Sequence, residues 1–214
     1  MTSASKSEHL SYLRHALRLA RESPPNSTNF CVGAVLVSWP LESSSPPVVL
    51  STGYTLELAG NTHAEQCALL KLAASHSVPQ SQIKSILTPD MNVTLYTTLE
   101  PCCKRQIGDT SCVQRIIATR DGSSGGIGGI RKVIFGAKEP GTFLKDSESC
   151  RMMTEAGVEW EYVEGLEDEI VSVARGGYGK QGTSVDALTE MERRGREVPR
   201  GSHRKSITEL FQSE

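Results

Sequence analysis

The sequence predicts an α/β fold: a five-stranded mixed sheet with helices on both faces, a three-layer α/β/α sandwich. Three observations carry this. β-branched apolar runs of strand length alternate with segments of helical period along the first 175 or so residues. Proline and glycine punctuate the joints between them, at Pro24-Pro25, Pro101 and Gly176. The length, 214 residues, suits one domain of ordinary size plus an appendage.

The elements follow in order. Residues 7–23 read as a helix capped by Ser7, with Leu10, Leu13, Leu17 and Ala20 on one stripe, ended by the proline pair. Residues 31–37 are a buried strand, 39–47 a Ser/Pro-rich loop and 48–54 the returning strand. Asn61 or Thr62 caps a second helix that carries His63 and Glu65 in its first turns and runs to about Ser75. Its core face is Ala64, Cys67, Ala68 and Leu72. Residues 77–90 form a polar connector with a short apolar turn at 83–87. A third strand, 93–99, is stopped by Pro101. A loop, 102–111, leads to a helix over 113–119 with Ile116 and Ile117 inward. Residues 121–129 are a glycine-rich turn without phosphate-loop spacing. A fourth strand spans 132–138, a helix 147–156, a fifth strand 158–163 and a last helix 166–175. Glu167 and Asp168 open that helix, where its dipole favours acids. Past Gly176 the chain turns polar, so the domain is 1–180 and 181–214 is a tail. Ile207, Leu210 and Phe211 share one helical stripe there; the tail is either disordered or docks on the domain or a neighbouring subunit.

Composition removes several functions. A net charge of −2 gives no basic field for nucleic acid or an anionic membrane, and 5% aromatics make a poor base-stacking platform. No apolar run approaches the roughly 20 residues that span a bilayer, and the N-terminus lacks a secretory core, which places the chain in the cytoplasm. The six cysteines form no regular frame and three cluster beside Pro101, which reads as metal chemistry rather than disulfides. The two Asn-x-Thr matches, at Asn26 and Asn92, are chance without export.

His63, Cys102 and Cys112 offer one imidazole and two thiolates, enough to hold Zn2+ and leave a fourth position open, as catalytic zinc requires. Glu65 lies two residues past the histidine, poorly placed as a ligand but well placed to take a proton from activated water and pass it to a leaving group. Cys102 follows the strand-ending proline and Cys112 opens a helix, where the dipole favours thiolate. Cys103 competes with Cys102 as ligand, but the Pro101-Cys102 register favours the latter. Cys67 sits one turn after His63 and reads as a small buried hydrophobe, as do Cys31 and Cys150. Lys104 and Arg105, between the two cysteines, suit a phosphate, with solvated loop charges the alternative.

The pattern helix, Asn29-x-x-Val32-Gly33-Ala34-Val35, His63-Ala64-Glu65, Thr98-Leu99-Glu100-Pro101-Cys102-Cys103, Cys112 resembles the cytidine-deaminase-like fold. Within it the chain looks most like the riboflavin-pathway deaminases. Nine residues separate Cys102 from Cys112, where most members have two and that branch typically has one fewer than here. The run from Tyr54 to Leu69 looks like the fungal form. The resemblance implies deamination of a phosphorylated diaminopyrimidinone carrying a ribityl chain, by a free-standing enzyme with no reductase domain. It implies Zn2+ on His63, Cys102 and Cys112 with Glu65 as proton shuttle. It also implies Asn29 and the Ala64 N–H as substrate contacts, Lys138 near the sugar chain, and a homodimer. The other readings are a deaminase of the ribosyl form, of a nucleotide or of an RNA base, and a non-catalytic zinc-stabilised interaction module.

Overall fold

The computed structural model describes residues 4–26, 28–40, 45–105, 109–120, 128–138 and 147–176. The elements are α1 (Lys6–Ala20), β1 (Gly33–Ser38), β2 (Val48–Tyr54), α2 (Ala64–Ser75), β3 (Val93–Leu99), α3 (Cys112–Ala118), β4 (Ile130–Ala137), α4 (Glu148–Glu155), β5 (Glu159–Tyr162) and α5 (Glu167–Ala174). The strands form one mixed sheet in the order β2-β1-β3-β4-β5. β1 is antiparallel to both β2 and β3, whereas β3, β4 and β5 run parallel. The expected α/β architecture with five strands is the one observed.

Alternation along the strands builds two cores. Ala34, Leu36, Leu95, Val133 and Phe135 face α2, α3 and α4. Their neighbours Val35, Val37, Tyr96 and Ile134 face α1 and α5. β1 and β3 are buried along their whole length, so even the threonines of β3 (Thr94, Thr97 and Thr98) lie inside.

Helix starts differ from expectation for local reasons. Ser5, not Ser7, caps α1: Glu8 lies three residues past Ser5 and closes a capping box that Ser7 cannot make. Likewise Ser111 caps α3 through Gln114. Neither Asn61 nor Thr62 caps α2. His63 holds the N-cap position without a side-chain cap bond, because its ring faces two thiols, while the Thr62 hydroxyl donates to the Leu58 carbonyl at 2.9 Å. The connector holds two 3-10 turns, Gln80–Ser85 and Pro89–Met91. The glycine-rich turn up to residue 127 and the tail 181–214, with Ile207, Leu210 and Phe211, lie outside the described residues. Among the described residues no helix is long and apolar enough to cross a membrane.

Two glycines set how closely the helices approach the sheet. A Cβ on Gly33 would overlap the Ala16 carbonyl oxygen of α1 and stand 2.7 Å from the Ala20 nitrogen. A Cβ on Gly53 would overlap the Ala64 carbonyl oxygen of α2 and stand 2.6 Å from the Ala68 nitrogen.

Far from these contacts, the buried His9 bonds the Tyr96 hydroxyl through Nδ1 at 2.9 Å. Burial holds its pKa below the usual value of 6.5, with nearby Lys132 adding to the effect and Glu161 and Glu8 opposing it. The unfolded chain then binds the proton first, so stability falls as pH drops below about 6.5 towards the folded pKa. His9→Gln, which keeps a partner for Tyr96, is expected to flatten that slope in urea titrations between pH 7 and 5; an unchanged slope excludes His9 as its source.

Candidate active site

The site forms where three elements end or begin. β3 delivers Thr97, Leu99 and Glu100, and Pro101 halts it. The loop after Pro101 folds back, so that the Val113 N–H donates to the Cys102 carbonyl at 3.1 Å and the Cys112 N–H to Cys102 Sγ at 3.5 Å. Cys112, the first residue of α3, thereby meets Cys102 despite nine intervening residues. The start of α2 supplies His63 and Glu65 from the other side.

His63 Nδ1 stands 3.5 Å from Cys102 Sγ and 3.4 Å from Cys112 Sγ. Two such donors on one tetrahedral zinc, at bond lengths of about 2.0 and 2.3 Å, would be about 3.5 Å apart. The three atoms all lie within 4.8 Å of one another, and this is the metal-capable cluster among the described residues. The donor set therefore fits zinc. Cys67 is fully buried in α2, and Cys103 turns away to put its Sγ 3.8 Å from Glu148.

Charge in the cluster is tightly linked. The Cys112 S–H holds Cys102 down to about 4 against the cost of burial, with His63 assisting. The same shared proton, with burial, pushes Cys112 well up. Burial works against a charged His63, yet the Cys102 thiolate and Glu65 raise it overall. Glu65 is 3% exposed. Its Oε1 accepts from the Thr97 hydroxyl at 3.3 Å and its Oε2 from Cys112 at 3.2 Å. Burial and the Cys102 charge hold its pKa above the ordinary carboxylate value, His63 opposing.

A cavity of about 140 Å³ opens onto these groups. Phe30, Val32 and Leu99 give it apolar walls, and His63, Glu65 and Cys102 lie among its lining. Asn29 also lines it, and its Nδ2 donates to Asn61 Oδ1 at 2.6 Å. Ala64 is the fully buried first residue of α2. The other expected contacts lie outside the cavity lining. The Lys104 side chain is 78% exposed and pairs with Glu148 at 2.7 Å. Arg105 is buried against Gln66, Asn61 and Asp109. The Lys138 ammonium stands 3.3 Å from Glu100 Oε2, both largely buried.

Glu100 was missed by sequence reasoning. It lines the cavity, and the Ser147 and Ser149 hydroxyls both donate to its Oε1. A carboxylate between the end of a buried strand and Pro101 was the available signal. Asn61 reads in the sequence only as a cap, and nothing there pairs it with Asn29.

Known proteins resemble this chain in sequence and fold. Residues 6–124 match the family model of the cytidine and deoxycytidylate deaminase zinc-binding region. The chain is 31% identical over 150 residues to the diaminohydroxyphosphoribosylamino-pyrimidine deaminase of Schizosaccharomyces pombe, covering 70% of this chain and 31% of that protein. It thus spans about a third of the length of that curated relative. The Aspergillus oryzae Rib2 deaminase, crystallised as a C-terminal deletion mutant, is 48% identical with a TM-score of 0.72, over 86% of this chain and 99% of that one. The same enzyme in complex with DARIPP gives a TM-score of 0.73 at 48% identity, over 87% of this chain and 100% of that one. A matched segment that holds the histidine, both thiols and the buried glutamate, together with this likeness, settles the descent: the chain belongs to the cytidine and deoxycytidylate deaminase zinc-binding family, within its riboflavin-pathway deaminase branch.

Proposed function

We propose that the protein is a cytoplasmic, homodimeric zinc-dependent deaminase. Its substrate is 2,5-diamino-6-ribitylamino-4(3H)-pyrimidinone 5'-phosphate, and it releases ammonia and the 5-amino-6-ribitylamino-uracil phosphate. The observation that carries this reading is Glu65: a carboxylate 3% exposed, at the wall of a cavity, beside three converging zinc donors. The complex of the Aspergillus oryzae Rib2 deaminase with DARIPP supports the substrate class.

His63, Cys102 and Cys112 would hold the zinc. Bound there, it supplies a water acidified from about 15.7 towards about 7. Glu65 takes a proton at its carboxylate, and its raised pKa keeps that proton available. It then hands the proton to the amine, which departs as ammonia while oxygen from water replaces it on the ring carbon. Asn29 presents an amide to the polar edge of the substrate, and the Ala64 N–H faces the ring carbonyl. The phosphate is met by Lys104, whose side chain is 78% exposed and pairs with Glu148. The Lys138 ammonium, paired with the cavity-lining Glu100 at 3.3 Å, serves the sugar chain.

The name of the Schizosaccharomyces pombe relative favours a second reading, in which the ribosyl form is the substrate. Ammonia release measured on the two forms side by side decides between them. Turnover of the ribityl form alone is the expected result. Turnover of the ribosyl form alone reverses the order of reduction and deamination, and turnover of neither, with zinc bound, removes the proposed reaction.

A further inference from the structure

We propose that Arg105 is a positioning residue: through Asn61 it holds Asn29 in the orientation in which Asn29 meets the substrate. The inference rests on the reading of Asn29 as a substrate contact and reassigns Arg105 from phosphate binding.

The Arg105 side chain is only 4% exposed. A buried guanidinium must have its donors met by acceptors, since desolvation without partners is costly. Here Nη1 donates to Gln66 Oε1 at 3.0 Å, Nη2 donates to the Asn61 backbone carbonyl, and Asp109 lies 3.7 Å away. These acceptors belong to separate stretches of chain. Gln66 is in the first turn of α2, Asn61 stands two residues before His63, and Asp109 belongs to the loop between the two cysteines. One side chain thus ties the long ligand loop to the chain on both sides of the histidine.

Asn61 passes this restraint on. Its carbonyl is held by Arg105, and its side-chain Oδ1 accepts the Asn29 Nδ2–H at 2.6 Å. Asn29 Oδ1 is not held in the same way: the Thr28 hydroxyl 3.3 Å from it gives its one proton to Asn26 Oδ1, at 2.8 Å. Held through Nδ2, the Asn29 amide plane has its second N–H and its oxygen left over, and the residue lines the cavity. A guanidinium that bonds two of these acceptors and is 4% exposed is turned away from solvent and from an incoming phosphate, in contrast to the exposed Lys104. The extra length of the loop between the cysteines thereby gains a use: it carries an anchor that reaches the opposite rim of the pocket.

The test uses the full-length, zinc-loaded chain. Arg105→Met fills a similar volume without donors. We expect it to retain zinc and to lower kcat/KM roughly 100-fold, the order of loss that small misplacements of a substrate-holding group cause. The loss should be the same for the phosphorylated substrate and its dephosphorylated form, and Arg105→Lys should not restore it, because an ammonium lacks the fork. In an Asn29→Ala background, Arg105→Met should cost little more. A readout independent of activity is the order parameter of the Asn29 side-chain amide by NMR. It should lie above about 0.8 in the parent and fall below about 0.6 in Arg105→Met. An unchanged order parameter, or a kinetic loss confined to the phosphorylated substrate, overturns the proposal. Should Arg105→Met lose zinc, Asn61→Ala replaces it, and an Asn29 amide as ordered as in the parent is again fatal. If the parent turns over neither substrate, the deaminase reading fails, while the NMR comparison still decides this one.

Discussion

Glu65→Gln is expected to bind zinc at the parent stoichiometry and to lose deaminase activity by about 10²- to 10⁴-fold, the contribution typical of a positioned proton-transfer group. The substitution changes little else. The amide has the shape of the carboxylate, so the 3% exposed position stays filled, and its oxygen still accepts from the Thr97 hydroxyl. What disappears is a group that can take a proton and give it back. The present carboxyl is poised for both, because burial and the neighbouring Cys102 charge raise its pKa while His63 keeps the rise in check. Zinc content by elemental analysis, read beside ammonia release, separates this from damage to the metal site. Activity within tenfold of the parent in a zinc-replete variant would show that the carboxylate is not the shuttle and would revive the reading of a zinc-stabilised interaction module.

Gly33→Ala is expected to be the most damaging single methyl group in the chain, costing more than about 4 kcal/mol or abolishing soluble expression. The new Cβ would overlap the Ala16 carbonyl oxygen and press the Ala20 nitrogen at 2.7 Å. Both are backbone atoms of α1, so no side chain can rotate aside. Relief requires lifting α1 from the sheet, which opens the layer that Leu13, Ala16 and Leu17 make with Val35 and Tyr96. Gly60→Ala is the control. Its φ of +90 disfavours a side chain, but a Cβ there meets nothing within 4 Å, so only a backbone cost of about 1–2 kcal/mol is expected. Urea denaturation of both variants checks the contrast, and a Gly33→Ala protein as stable as Gly60→Ala would refute the steric account.

The metal cluster was legible because its signal is chemical. Few arrangements other than a zinc site place a histidine before a helix and then cysteines after a strand-ending proline and at a helix start. The sheet was legible because β1 and β3 are buried on both faces and are built of aliphatic and β-branched residues. Helix starts were less so. Ser5 and Ser7 are chemically the same cap, and only Glu8, bonding back to Ser5, distinguishes them. At α2 the local rule was overridden from afar: His63 occupies the cap position because the thiols of Cys102 and Cys112 lie opposite it. Arg105 shows the limit most clearly. An arginine in a polar loop beside a presumed phosphate site reads as a phosphate ligand. Its burial depends on Gln66 and Asn61, some forty residues away, and no local pattern announces that pairing.

Gly33 and Gly53 stand on adjacent paired strands, with Gly33 opposite Tyr54 and Ala34 opposite Gly53. One is pressed by α1 and the other by α2, so the sheet is pinched from both sides beside the helix that carries the proton shuttle. A library of all single substitutions, scored only by growth without the pathway product, would therefore rank these two glycines with the metal ligands. A catalytic map drawn from such scores would be too large by two positions that touch no substrate. Scoring the same library for protein abundance would tell them apart, with the glycine variants depleted from the cell and Glu65→Gln still present at full level.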